Sequence, residues 1–118
     1  VLVLGLTFKE NISDIRNTKV IDIYNELIDY GIRVYLHDPY AHKGEVKEKY
    51  HIDLIETVGA QKPYDAIILA VKHLPYVQEL GLEQIKALSN GDTPILVDVK
   101  AFYSEKEAKR LGFSYWRL

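Results

Sequence analysis

Two unbroken aliphatic runs, Val1-Leu2-Val3-Leu4-Gly5-Leu6 and Ala66-Ile67-Ile68-Leu69-Ala70-Val71, constrain this chain more than any other feature. Runs of this length without polar alternation read as strands covered on both faces, the habit of parallel sheets. Parallel neighbours need long crossovers, usually helical. The intervening sequence supplies one: Val20, Ile23, Tyr24, Leu27 and Ile28 recur at helical spacing and make a single apolar stripe. Asn17 or Thr18 is placed to cap its start and Gly31 to close its end in a left-handed conformation.

The remainder continues the alternation. Ile32 to His37 reads as a second strand, closed by Asp38-Pro39 because proline cannot continue a central ladder. Residues 41–51 are polar and read as a surface loop or loose helical turn, and Ile52 to Ile55 as a short third strand. Tyr64 to Val71 is then the fourth strand. Val77, Leu80, Leu82, Ile85 and Leu88 predict one or two short helices interrupted at Gly81, and Pro94 to Val99 a fifth strand. Ser104 and Glu107 have capping-box spacing and open a helix that Gly112 ends; Phe113 to Leu118 reads as a last, edge strand.

Such a pattern predicts an α/β fold: a doubly wound, mostly parallel sheet of strand order 3-2-1-4-5-6 with helices on both faces. Ligands of such sheets bind outside the carboxyl ends of the strands, here between strands one and four. The loops expected to carry function are therefore 5–16, 38–43, 72–76 and 99–103.

Bulk properties narrow the function classes. With 118 residues the chain is read as one domain, 1–118, and its net charge of -2 offers no basic stripe for nucleic acid. No apolar run approaches the ~20 residues of a membrane span. The sequence has no cysteine, which removes disulfides, thiolate metal sites and a thiol nucleophile, and fits a cytoplasmic protein. It also lacks methionine, even at position 1, so a fragment of something longer is expected. His37, His42, His51 and His73 match no metal-ligand spacing, and no metal site is expected.

In the first loop Gly5 is followed by no second or third glycine at dinucleotide-fingerprint spacing, so close approach of a pyrophosphate is not signalled. Asp38 sits where an acid would reach a ribose hydroxyl, and an Asp-Pro turn accounts for it equally well. Lys9, Asp14 and Arg16 are the sharpest cluster. A mobile point charge and a rigid bidentate fork beside a helix N-terminus suit a phosphate or sugar phosphate; two solvated cations and a capping aspartate are the plainer alternative. His73 follows the fourth strand, where capping or an exposed position is expected and a bond to ligand is the alternative. Tyr76 and Tyr103 fall in functional loops, with packing expected before contact with a base.

Gly5-Leu6-Thr7-Phe8-Lys9-Glu10-Asn11, followed by Asp14-Ile15-Arg16-Asn17-Thr18-Lys19-Val20, resembles the G-x-x-F-K-x-(4)-D-x-R-x-S/T segment of the UDP-glucose/GDP-mannose dehydrogenase family. In that family the segment opens the C-terminal domain. Tyr35-Leu36-His37-Asp38-Pro39, the stretch from Asp65 to His73, and Val97-Asp98-Val99-Lys100 extend the resemblance over essentially the whole chain. It implies a Rossmann-like UDP-binding domain of an enzyme that oxidises a sugar C6 alcohol to a carboxylate in two NAD-dependent steps. The flavour is that of bacterial enzymes acting on UDP-N-acetyl-hexosamines for surface polysaccharides. Phe8 and Lys9 would lie at the nucleotide sugar, Arg16 at the NAD pyrophosphate, and Lys100 where many relatives carry a basic residue, commonly arginine. NAD would be held mainly by an N-terminal domain that also brings the catalytic cysteine, and the full-length form would dimerise. The chain alone is expected to bind UDP or UDP-sugar weakly and to be inactive.

Three other readings compete. A phosphoacceptor receiver needs an acidic pair at the end of strand one, where Gly5-Leu6-Thr7 has none. A stand-alone nucleotide-binding domain lacks its glycine fingerprint. A non-enzymatic assembly module would use edge strands and apolar helix faces instead of a ligand site.

Overall fold

The computed structural model describes residues 1–117. Five parallel strands form one sheet: β1 (Leu2–Leu4), β2 (Tyr35–His37), β3 (Ala66–Leu69), β4 (Ile95–Asp98) and β5 (Ser114–Arg117), in the order β2-β1-β3-β4-β5. Register is continuous, with Val3 opposite Leu36 on one side and Ile68 on the other. Helices α1 (Val20–Asp29) and α2 (Lys43–Tyr50) join the first three strands, α3 (Leu74–Glu79) and α4 (Leu82–Ala87) precede β4, and α5 (Glu105–Arg110) precedes β5.

The pleat sorts the strand residues into two cores. Leu2, Leu4, Ile67, Leu69 and Leu96 point to one face and meet Tyr76, Leu80, Ile85 and Ala108 of the later helical region. Val3, Leu36 and Ile68 point to the other face and meet Val20 of α1 and Val46 of α2. Each buried aliphatic side chain contributes about 1.5–3 kcal/mol, and this double burial is what an unbroken aliphatic strand requires. At the β5 edge the second face is uncovered, leaving Ile95 and Trp116 exposed.

Two expectations are corrected. The sheet has five strands, not six, because Ile52–Ile55 is not a strand. The segment still occupies the third-strand place. Its Ile55 amide donates to the Leu36 carbonyl of β2 at 3.0 Å, and Ile52 and Leu54 are buried on the α1–α2 face. α2 on the same face as α1 carries the chain outward past β2, as right-handed crossovers demand. One backbone bond is too few to make a ladder, so the expected order survives with its outermost member reduced to a packed rope. The polar stretch 41–51, expected as a surface loop or loose helical turn, carries a regular helix at Lys43–Tyr50, whose single wholly buried residue, Val46, gives no apolar stripe to read. His51, with φ of 59°, ends that helix where a glycine would have signalled it.

The other signals hold. Gly31 and Gly112 adopt positive φ behind α1 and α5. Thr18 accepts from the Val20 amide at 3.2 Å, and Ser104 accepts from Glu107 at 3.2 Å. The last strand is an edge strand, with Leu118 outside the described residues. No described helix is long and apolar enough to cross a membrane.

Candidate functional site

The first loop leaves β1 through Gly5, whose φ of 98° suits glycine alone. A Cβ there would meet Val71 Cβ at 2.5 Å and Val71 N at 2.8 Å. The glycine therefore admits the β3–α3 turn of the chain itself. Val71 and Ala70 both donate to the Leu4 carbonyl, which fixes that close contact.

Asp38 is equally committed. Its Oδ1 accepts from the amides of Tyr40 and Ala41 at 2.8 and 2.9 Å, closing the Asp-Pro turn. Its Oδ2 accepts from the amides of Leu6 and Thr7 at 2.7 and 3.1 Å and from His73 Nε2 at 2.8 Å. Burial opposes the charge, but the donors from His73, Leu6 and Thr7 outweigh it and hold the carboxyl below its usual range. With five donors no capacity is left for a ribose, so the turn reading is the correct one.

His73 is neither exposed nor a side-chain cap. It is wholly buried, T-stacked on Tyr40 with ring centroids 4.8 Å apart, and lies 3.0 Å from the Thr7 hydroxyl. Its Nδ1 accepts from the Asn11 amide at 2.9 Å. Tyr76 and Tyr103 are also buried: their hydroxyls donate to the carbonyls of His37 and Leu80, and burial pushes both phenols up in pKa.

Beside these filled places one cavity of about 200 Å³ remains, at the carboxyl ends of β1, β3 and β4. Thr7 and Phe8, Ala70 and Val71, and Val99 and Lys100 come to it from the three strand ends, and Asn17 through Val20 bring the start of α1. Lys19 and Lys100 are the charged residues of its lining, with no carboxylate. Two cations beside a helix N-terminus favour an anion. The volume is below the ~300–1,000 Å³ of a site that encloses a whole ligand. A larger cleft of about 470 Å³ between α4 and the 102–107 turn is rimmed by Glu83 and Glu107. Its acidic rim suits a diphosphate badly; charge, not size, decides between them.

The expected site residues are distributed as follows. Phe8 and Lys100 share the cavity wall. Lys9 is exposed next to it, with Nζ 5.6 Å from the centroid of the Phe8 ring, a cation–π distance. Arg16 lies on the same edge of the sheet but faces a different hollow, lined by Ile15 and by Glu45, Glu48 and Lys49 of α2. Asp14 engages its guanidinium in a fork, Oδ1 to Nε at 3.0 Å and Oδ2 to Nη2 at 3.1 Å. The side-chain bond to Arg16 lowers the Asp14 pKa. Lys19 was missed by sequence reasoning, since a lysine opening a helix carries no motif.

The loop bearing Lys100 is anchored by Asp98, whose Oδ2 accepts from the Tyr103 amide at 2.7 Å and the Tyr115 hydroxyl at 2.6 Å. Burial and the Asp98 carboxylate together push the Tyr115 phenol up to about 12. Asp98 Oδ1 is buried without a partner among the described residues.

A doubly wound domain with an anion-favouring cavity at its strand ends agrees with what known proteins add. The profile of the UDP-glucose/GDP-mannose dehydrogenase family, UDP binding domain, matches residues 2–105. The chain belongs to this family, and it corresponds to that family's C-terminal UDP-binding part. Among curated relatives it is 40% identical over 108 residues to a UDP-N-acetyl-D-glucosamine 6-dehydrogenase of Pseudomonas aeruginosa, covering 92% of this chain and 25% of the relative. It is 43% identical over 100 residues to the enzyme of that name from Salmonella typhi, covering 85% of this chain and 23% of the relative. The chain thus spans about a quarter of the length of the relatives it matches. An NDP-N-acetyl-D-galactosaminuronic acid dehydrogenase from Methanosarcina mazei superposes with a TM-score of 0.85 at 23% identity, over 98% of this chain and 24% of that one. That likeness speaks to the fold.

Proposed function

We propose that residues 1–118 are the nucleotide-sugar-binding domain of a longer NAD-dependent UDP-sugar 6-dehydrogenase, which oxidises a sugar C6 alcohol to the carboxylate. The observation that carries the reading is the cavity at the ends of β1, β3 and β4, with Lys19, Lys100 and the start of α1 on its wall and no acid. Phe8 would pack against the ligand, and Lys9 and Lys100 would meet its charged and polar groups. Arg16, at the neighbouring hollow, would reach the NAD pyrophosphate across an interdomain cleft once a ligand phosphate displaces Asp14 from its fork.

NAD itself would be held mainly by the chain's own N-terminal domain. The saturated Asp38 supports that division, since it has no capacity left for a ribose hydroxyl. The sequence has no cysteine to act as nucleophile, so this chain alone would not turn over. Its part is to bind the end of the substrate remote from C6, so that binding energy there orients the reacting carbon. We place the full-length protein as a homodimer in the cytoplasm, in polysaccharide precursor synthesis.

Titration of the 118-residue chain with UDP and with NAD, followed by amide chemical shifts, tests the reading. UDP is expected to move Phe8, Lys19 and Lys100 with millimolar affinity, and Lys100→Ala to weaken it about tenfold, near the ~1.5–3 kcal/mol of a charge-assisted bond. NAD without UDP is expected to move none of them. Preferential response to NAD would favour a stand-alone dinucleotide domain and overturn the assignment.

A further inference from the structure

Asn11 is tied twice to the adjacent residues His73 and Leu74, and neither bond is needed by a sheet of this kind. The Asn11 amide donates to His73 Nδ1 at 2.9 Å, and the Asn11 side-chain oxygen accepts from the Leu74 amide at 2.7 Å. An amide can only donate, so Nδ1 carries the lone pair and the hydrogen-bond network assigns the proton to Nε2. That proton faces Asp38 Oδ2 at 2.8 Å and the Thr7 hydroxyl oxygen at 3.0 Å. The Thr7 hydroxyl in turn donates to the Lys9 carbonyl at 2.8 Å. Every polar atom of the ring is thus used within the protein, and two of its partners, Thr7 and Asn11, belong to the loop around Phe8, with Lys9 reached through Thr7.

Ile15 is buried and its carbonyl accepts from the Tyr50 hydroxyl, but the tip at residues 8–11 has little else to hold it. Residues 7–18 contain no helix or strand, Phe8 through Asn11 are exposed, and Asn11 has a φ of 62°. The Phe8 amide closes the loop on the Asp14 carbonyl at 2.8 Å. A loop so open would sample many conformations without a buried anchor.

We propose that Asn11 and the His73–Leu74 pair form a reciprocal clasp that positions the Phe8–Lys9 tip against the cavity, with His73 locked as the Nε2–H tautomer. The inference rests on the proposed function for what the tip would meet, and on the hydrogen-bond geometry alone for the clasp itself. His73 is a positioning residue: a preset tip has less entropy to lose when a ligand arrives.

Two isosteric substitutions separate the two sides of the ring. An asparagine side chain places an acceptor near the position of Nδ1, and a glutamine places a donor near that of Nε2. His73→Asn therefore keeps the bond to Asn11, whereas His73→Gln keeps the bond to Asp38 and loses Asn11. Asn11→Gly preserves the positive φ and removes the acceptor for Leu74, and it changes an exposed residue, so it does not depend on tolerance of the core.

The experiment is amide hydrogen exchange on the ligand-free 118-residue chain, with a long-range ¹⁵N spectrum of the imidazoles and a UDP titration. Expected for wild type are a pyrrole-like Nε2 and protected Asn11 and Leu74 amides. His73→Gln is expected to accelerate exchange at Phe8, Asn11 and Leu74 by about tenfold, one bond's worth, and to weaken UDP about five- to tenfold. The Gly5 and Ala70 amides, bonded to His37 and Leu4 in the sheet, should keep their rates. His73→Asn should stay within about twofold of wild type at Asn11, and Asn11→Gly should release Leu74. An Nδ1–H tautomer, unchanged exchange in both His73→Gln and Asn11→Gly, or uniform acceleration across sheet and loop overturns the clasp. A wild type that ignores UDP while the exchange pattern appears upholds the clasp and overturns the ligand reading.

Discussion

Gly5→Ala tests the close contact between the first loop and the β3–α3 turn. The added Cβ meets Val71 Cβ at 2.5 Å, Val71 N at 2.8 Å and Val71 Cα at 3.0 Å, two of the three being backbone atoms that cannot swing aside. Holding a non-glycine residue at a φ of 98° costs about 1–2 kcal/mol. Overpacking against a fixed neighbour costs about 1–3 kcal/mol more, so about 2–5 kcal/mol is expected. At roughly 2.1 cal/mol/K per residue, a chain of this size loses about 4 °C of Tm per kcal/mol, giving a drop of about 8–20 °C. Gly31→Ala is the internal control. Its φ is 78°, yet nothing lies within 4 Å of its Cβ, so only the conformational cost applies, about 4–8 °C. Thermal unfolding followed by circular dichroism reads both. Adding Val71→Gly should harm the Gly5→Ala protein less than it harms wild type, since it removes the nearest atom. Equal losses in the two alanine variants, or no such coupling, would refute the steric account of Gly5.

Asp38 gives a pH signature. Its folded pKa lies below the unfolded value, so the unfolded chain binds the extra proton; the stabilisation is full above about pH 4 and is lost as pH falls through the folded value. Asp38→Asn should cost about 2–3 kcal/mol at neutral pH and flatten the acid limb of the urea midpoint, whereas Asp14→Asn, whose pair is exposed, should leave that limb nearly unchanged. At the alkaline end Tyr115 has a raised folded pKa, so its contribution is complete below pH ~10 and fades as pH climbs towards about 12. Absorbance at the tyrosinate band should show one phenol ionising in that late window in wild type and not in Tyr115→Phe, which should also lose about 1–3 kcal/mol by stripping a donor from buried Asp98.

Most of the sheet was legible because its signals are local. The aliphatic runs, the stripe of α1 and the left-handed glycines each need only neighbours a few residues away to be read. The third-strand place failed as a strand because strand identity requires a partner: Ile52 and Leu54 have the right apolar character but the segment makes one ladder bond. α2 failed for the opposite reason, a helix whose burial depends on Val46 alone. At the site, Phe8 and Lys100 could be placed from a motif, but the roles of Asp38 and His73 could not. Those two residues are 35 positions apart, and their pairing exists only once β2 and β3 flank β1. Nothing in the Asp-Pro dipeptide distinguishes a carboxylate open to a ribose from one saturated by five donors.

The saturation of Asp38 and the exposure of Phe8 have a shared consequence for how such a domain can change. Its structural obligations are concentrated in buried side chains set back from the mouth, while the tips that would greet a guest, at positions 8–10 and 100–102, bear almost none of the architecture. Substitutions at those tips leave the frame undisturbed. A change at Gly5 or Asp38 would be felt first in the stability of the scaffold.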